Sequence, residues 1–128
     1  TMSDPGCLEE LHGSMAAAWF DERDAETLHL ARGIGRPLWI GEGRAEVFFA
    51  STEAALEVVE RSIRIGLRKT EVLEGSLLRL VEGRVGSQAR FEPDRSYEDA
   101  RPLPAVRAPR EGAYCLERMA VLAAWTMA

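Results

Sequence analysis

Residues 14–31 read Ser14-Met15-Ala16-Ala17-Ala18-Trp19-Phe20, then Asp21-Glu22-Arg23-Asp24, then Thr27-Leu28-His29-Leu30-Ala31 after two linking residues. The first run is short, apolar and aromatic at its end. The polar cluster that follows is turn chemistry, and the third run alternates apolar with polar side chains. Alternation with a period of two marks a strand with one buried face. Alanine favours helix on propensity alone, but the alanine run is brief and stops at the polar cluster. The stretch therefore reads as two strands joined by a polar turn, a hairpin.

Working outward from that hairpin, Gly33, Gly35 and Pro37 break the chain, and Leu38-Trp39-Ile40 resumes it as a third strand. Gly41-Glu42-Gly43-Arg44 is a turn, and Val47-Phe48-Phe49-Ala50 is a fourth strand that completes an antiparallel meander. Upstream, residues 5–12 hold a short helical candidate with Leu8 and Leu11 at i, i+3 and Gly13 placed to end it. Downstream, Ser51 or Thr52 caps a helix whose body is Ala54 to Ser62, with Glu53 in the first turn. Ala55, Leu56, Val59 and Ile63 gather on one side of that helix. Glu57 with Arg61 and Glu60 with Arg64 are i, i+4 pairs on a solvated face. Two more strands are expected at 70–73 and 76–81, divided by Glu74-Gly75. From residue 86 to 112 the periodicity is lost, and Pro93, Pro102, Pro104 and Pro109 accompany the charged Glu92-Pro93-Asp94-Arg95. That stretch reads as an extended arm. Residues 113–125 read as a helix apolar on nearly every side except at Glu117 and Arg118, which must be buried in its own core or against another chain. One domain is expected, with residues 1–85 as meander and helix, 86–112 as a Pro-rich arm and 113–128 as an apolar C-terminal helix. The class is α+β, a largely antiparallel sheet with flanking helices.

The composition narrows the function. The 128 residues carry 16 basic and 21 acidic side chains, a net charge of −5, so a basic groove for nucleic acid is not expected. The longest near-apolar stretch, Met119 to Ala128, is about half the length of a membrane span, and no secretion signal opens the chain. A cytoplasmic setting follows, and it suits two distant cysteines, Cys7 and Cys115. No metal or cofactor is expected. His12 and His29 are too few for a metal site without clustered partners, and His29 reads as a surface or edge histidine. Gly33-Ile34-Gly35 lacks the third glycine and the helix of a phosphate fingerprint. Cys115 sits in an apolar helical setting that keeps a thiol protonated. Cys7 has no evident activating histidine. Thr1 would offer a terminal amine as base, but Met2 reads as the natural start.

Four segments in order resemble a known family. They are Leu8 to Asp21, Leu28-His29-Leu30-Ala31-Arg32-Gly33-Ile34-Gly35-Arg36-Pro37-Leu38-Trp39-Ile40-Gly41, Phe48-Phe49-Ala50-Ser51-Thr52-Glu53-Ala54-Ala55-Leu56, and Glu71-Val72-Leu73-Glu74-Gly75-Ser76-Leu77-Leu78-Arg79-Leu80. Together they resemble the second half of the glutaminase domain of class II glutamine amidotransferases, with spacing most similar to the glucosamine-fructose-6-phosphate aminotransferase type. The resemblance implies an Ntn-hydrolase fold, two antiparallel sheets stacked between helices, and a glutaminase that releases ammonia from glutamine for a neighbouring synthase site. In that family the nucleophile is an N-terminal cysteine, and the glutamine and oxyanion groups lie in the first half. Here there is no Cys-Gly-Ile-type start, no arginine-containing glutamine loop and no asparagine-glycine segment. No catalytic residue is therefore assigned. Ser3-Asp4 resembles the family's Ser/Thr-Asp-x-Glu motif, which makes Asp4 the substrate-binding candidate, although Pro5-Gly6 interrupts the motif.

The expected function is thus an amidotransferase-like domain without its nucleophile half, inactive alone and completed by a complementary subunit or by self-association. The alternative from another class is a non-enzymatic homo-oligomeric assembly module built on the same fold. A compact enzyme using Cys7 or His12 is a third option. A dimer is expected because the apolar C-terminal helix needs cover.

Overall fold

The computed structural model describes residues 4–97 and Val121. In chain order its elements are α1 (Pro5–Leu8), β1 (Ala16–Asp21), β2 (Asp24–Arg32), β3 (Trp39–Glu42), β4 (Val47–Ala50), α2 (Glu53–Ile63), β5 (Arg68–Glu71), β6 (Ser76–Val81), β7 (Arg84–Arg90) and a 3-10 turn at Arg95–Tyr97. The α+β class holds, and every strand pairing is antiparallel. The 14–31 hairpin forms as β1 and β2, with Ala18 opposite Leu30 and Trp19 opposite His29. Its turn is tied by the Asp21 carboxylate, which accepts the Arg23 backbone N–H at 2.9 Å and the Arg23 guanidinium at 3.1 Å. Those Arg23 hydrogen bonds hold the Asp21 carboxyl below the usual carboxylate range.

The four N-terminal strands do not make one meander. β2 pairs with β6, and the sheet order is β1-β2-β6-β7, while β3 lies in a second sheet ordered β4-β3-β5. Alternation specifies which face a side chain takes but not which strand lies beside it. The bend at 33–38 carries the chain from one layer to the other. What holds the layers together is a set of aliphatic side chains from both: Leu30, Leu78 and Leu80 from the first sheet, Leu38, Ile40 and Val72 from or beside the second. All six are buried, and Leu28, Val47 and Val85 pack around them. Burying each such side chain is worth roughly 1.5–3 kcal/mol. Arg32 at the end of β2 adds a polar tie, donating to the Glu71 carboxylate at 3.0 Å and to the Val72 carbonyl at 2.5 Å.

Each sheet also has an outer face. The first sheet packs Ala31 and Leu77 against Leu8 of α1 and against Phe91, with Met15, Trp19 and Ala89 at the margin. The second sheet carries α2. Thr52 caps that helix by accepting the Ala55 N–H at 3.2 Å, and Arg64 ends it in the left-handed conformation at φ 56°. Leu56 is its buried residue, and Gly41 on β3 lets it in. A Cβ at Gly41 would stand 3.0 Å from Leu67 Cδ1 and 3.5 Å from Leu56 Cδ1.

Some expectations shift. The i, i+4 pair of Glu60 with Arg64 gives way to an ion pair of Glu60 with Lys69, and the second Glu60 oxygen accepts the Leu67 N–H at 2.8 Å. The Lys69 hydrogen bond lowers the Glu60 pKa, and the same bond raises that of Lys69. The arm expected from residue 86 begins as strand: residues 86–90 belong to β7, paired with β6. The remainder of the arm beyond 97 and the 113–128 helix lie outside the described residues, Val121 apart. Among the described residues no helix is long and apolar enough to cross a membrane.

The β6–β7 hairpin closes on Glu82 and Gly83, both at positive φ (51° and 71°), as a tight primed turn requires. A Cβ at Gly83 would lie 1.9 Å from the Ala45 carbonyl oxygen, so both backbone and space exclude a side chain. Gly83→Ala is expected to lower stability by about 2–3 kcal/mol, read as a shift in the urea midpoint. A midpoint equal to wild type would contradict this close approach of the 43–46 and 81–84 turns.

Candidate functional site

Three places gather groups capable of chemistry. The first joins the two ends of the described chain. His12 follows α1, Asp94 follows β7, and Nδ1 of His12 lies 2.6 Å from Oδ2 of Asp94. Ser96 donates its hydroxyl to the other Asp94 oxygen at 2.5 Å and its backbone N–H at 3.0 Å. With the His12 bond as the main cause and Ser96 the second, the Asp94 carboxyl is lowered to a pKa of about 2. A carboxylate, an imidazole and a hydroxyl invite comparison with a hydrolytic triad, but the connectivity differs. In a triad the imidazole accepts from the hydroxyl and so activates it, whereas here the Ser96 hydroxyl is spent on the carboxylate. The cluster works as a clip. It is reinforced by Glu9, whose carboxylate accepts the Glu92 N–H at 2.9 Å, so α1 is held over Phe91.

The second place is His29. The sequence reading puts it on a wet face or edge, but β2 is an inner strand and His29 is only 4% exposed. It stacks on Trp19 with ring centroids 5.4 Å apart and planes 16° from parallel. Its Nδ1 is buried with no hydrogen-bond partner. Its cross-strand neighbour on β6 is Arg79. Among the described residues no three His, Cys, Asp or Glu side chains come together as a metal site.

The third place is a cleft of about 540 Å³ between the sheets, flanked by the outer strands β5 and β7. Ile40, Val72, Leu78 and Val85 give it apolar walls, and Glu42, Arg68 and Gln88 are its main polar groups. Glu42 and Arg68 neutralise each other through a 2.5 Å hydrogen bond. The lining contains no cysteine, serine or histidine. The cleft can bind apolar surface; its lining also carries the Thr70 hydroxyl and the Glu71 carboxylate, the latter paired with Arg32.

The sequence-derived candidates do not converge. Asp4 is the N-cap of α1, with its carboxylate accepting the Gly6 N–H at 2.9 Å. That is a structural use common to aspartate at this position. Cys7 lies on α1 and is half-buried. His12 faces Asp94, and His29 lies on an inner strand of the first sheet. Thr1 and Cys115 lie outside the described residues. Asp94 and the cleft are what sequence reading misses. The clip joins residues 82 positions apart, and no local pattern announces it beyond the Asp-x-Ser spacing of Asp94 and Ser96. No protein-family model matches the chain, and no curated protein or solved structure matches it.

Two outcomes follow from this geometry. Because folding depresses the Asp94 pKa, the clip stabilises the fold above the ordinary carboxylate value of 3.8, and this contribution fades as pH falls towards 2. The melting-temperature gap between wild type and Asp94→Asn should therefore be largest above pH 4 (roughly) and close below it. A gap that widens in acid would refute the clip. At His29, replacement of an unpartnered imidazole by a ring of similar shape removes a desolvated nitrogen. His29→Phe is expected to keep stability within about 1 kcal/mol of wild type, measured by urea unfolding. A loss of more than about 2 kcal/mol would mean that the nitrogen has a partner it needs.

Proposed function

We propose that this chain supplies the second-half scaffold of a class II glutamine amidotransferase domain, with the glutamine-hydrolysing groups contributed from outside these residues. The observation that carries the reading is the layered arrangement itself. Two antiparallel sheets lie face to face through the Leu30–Ile40–Leu78 core, with α2 on the outer side of one sheet. That layering is what the family resemblance over residues 8–85 calls for. The resembling segments also fall on matching elements. Phe48 to Leu56 spans the junction of β4 with α2, and Glu74-Gly75-Ser76 leads into β6.

The chemistry supports the division of labour. Releasing ammonia from a carboxamide needs a nucleophile, a base within reach of it and donors aimed at the developing oxyanion. Asp4, Cys7, His12 and His29 are dispersed, and the two whose side-chain bonds are defined, Asp4 and His12, serve a cap and a clip. The substrate class is the glutamine carboxamide, handled by the domain when completed.

A second reading, a non-enzymatic assembly module, is favoured by the outer strands of both sheets, each of which has a single strand neighbour among the described residues. Glutamine turnover separates the two only together with the gene context. The purified chain is expected to release no ammonia from glutamine, and Cys7→Ala to change nothing. Turnover that vanishes in Cys7→Ala would overturn the scaffold reading in favour of a self-sufficient enzyme. A Cys-Gly-led coding stretch for the hydrolytic half is expected in the same transcript, and a transcript without one would favour the assembly module.

A further inference from the structure

Four strands border the two sheets, and they are not alike. β5 carries Arg68, Lys69 and Glu71, and β7 begins and ends on Arg84 and Arg90. Charged side chains of this kind discourage another strand from adding to an edge. β4 is four residues long and runs almost directly into the cap of α2. β1 is different. It is six residues long, and Ala16-Ala17-Ala18-Trp19-Phe20 has no charge, no proline and no glycine. Among the described residues, only β2 pairs with it. Phe20 is 61% exposed. Among the described residues this is the edge that carries no such protection.

We propose that this edge pairs with the β1 edge of a second copy of the chain, giving a two-fold dimer in which the two β1 strands run antiparallel and the four-stranded sheets join into one. The strand is self-complementary in that arrangement. With the two-fold axis at Ala18, Ala16 of one copy stands opposite Phe20 of the other, and Ala17 opposite Trp19. Each large ring then lies beside a methyl group, and Ala18 meets Ala18. Paired residues share a face, as an extended sheet requires. The charges at the strand ends also match. The turn Asp21-Glu22-Arg23-Asp24 has three acids against one arginine. The other end of the hairpin holds the exposed Arg36, whose carbonyl accepts from Arg32, the register partner of Ala16; the Arg32 guanidinium itself is spent on Glu71 and Val72. Antiparallel pairing brings the acidic turn of each copy towards the arginine end of the other, and this opposition selects a closed isologous pair. The dimer uses the β1 edge alone and stands apart from the amidotransferase reading.

The test is register-specific. Sedimentation equilibrium of the full chain at tens of micromolar is expected to give the mass of two chains. Ala18 is exposed and faces its own counterpart across the axis, so Ala18→Lys and Ala18→Glu each set like charges opposite each other. Each variant alone is expected to sediment as one chain with an unchanged far-UV circular-dichroism spectrum, and an equimolar mixture to regain the two-chain mass. A monomeric wild type, a dimer that survives Ala18→Lys, or a mixture that stays monomeric would each overturn the proposal.

Discussion

Neither sheet of this fold has an inner face that could remain in water. The aliphatic side chains of Leu30, Leu78 and Leu80 need a surface to lie on, and Leu38, Ile40 and Val72 provide it. That mutual burial sets most of what surrounds it. The bend at 33–38 exists to change layers, and Arg32 spans the junction by gripping the Val72 carbonyl and Glu71. The second sheet, with its inner face turned to the first, has an outer face left for α2, and the absence of a side chain at Gly41 lets Leu56 settle there. The first sheet takes α1 and Phe91 on its outer side. The order of layers therefore follows from one requirement applied twice to each sheet.

The titratable side chains of the described residues serve this architecture more than they serve chemistry. Asp4 caps, Asp21 ties a turn, Glu60 bridges α2 to β5 through Lys69, and Asp94 joins β7's exit to the segment after α1. At Asp21, Glu60 and Asp94 the donors also lower the carboxyl pKa, and a carboxylate held that way is a poor general base at neutral pH. The same donors make it a good structural anchor.

Local pattern was enough to find β4 and β6 to the residue and α2 to within one residue at each end of its body. Alternation, a threonine cap and flanking turns are all short-range signals. Partnership between strands was not legible, because the period of two in Leu28-His29-Leu30 says nothing about whether β3 or β6 lies alongside. β7 escaped notice since Arg84-Val85-Gly86-Ser87-Gln88-Ala89-Arg90 has little apolar character at a sheet border. His29 shows how half a reading can be right. Its alternation correctly sets it on the face opposite Leu28 and Leu30, but the stacking on Trp19 and the cover over that face depend on distant residues. The clip of His12 to Asp94 was invisible for the same reason of sequence distance, and Asp4 read as a substrate contact only because a cap and a motif can share a residue type.

The nesting of one sheet inside the other in sequence bears on how the molecule is born. β3, β4 and β5 are all synthesised after β2 and before its neighbour β6. A nascent chain therefore carries the first hairpin, with Leu28 and Leu30 uncovered, until the whole of the second sheet has left the ribosome. Long-range pairing of this kind is intrinsically slow, and transiently exposed strand borders invite contact with neighbouring chains. Folding the intervening segment first would shorten the effective loop that β6 must close on β2. Early formation of the β3–β4–α2 unit would then set the pace for the rest.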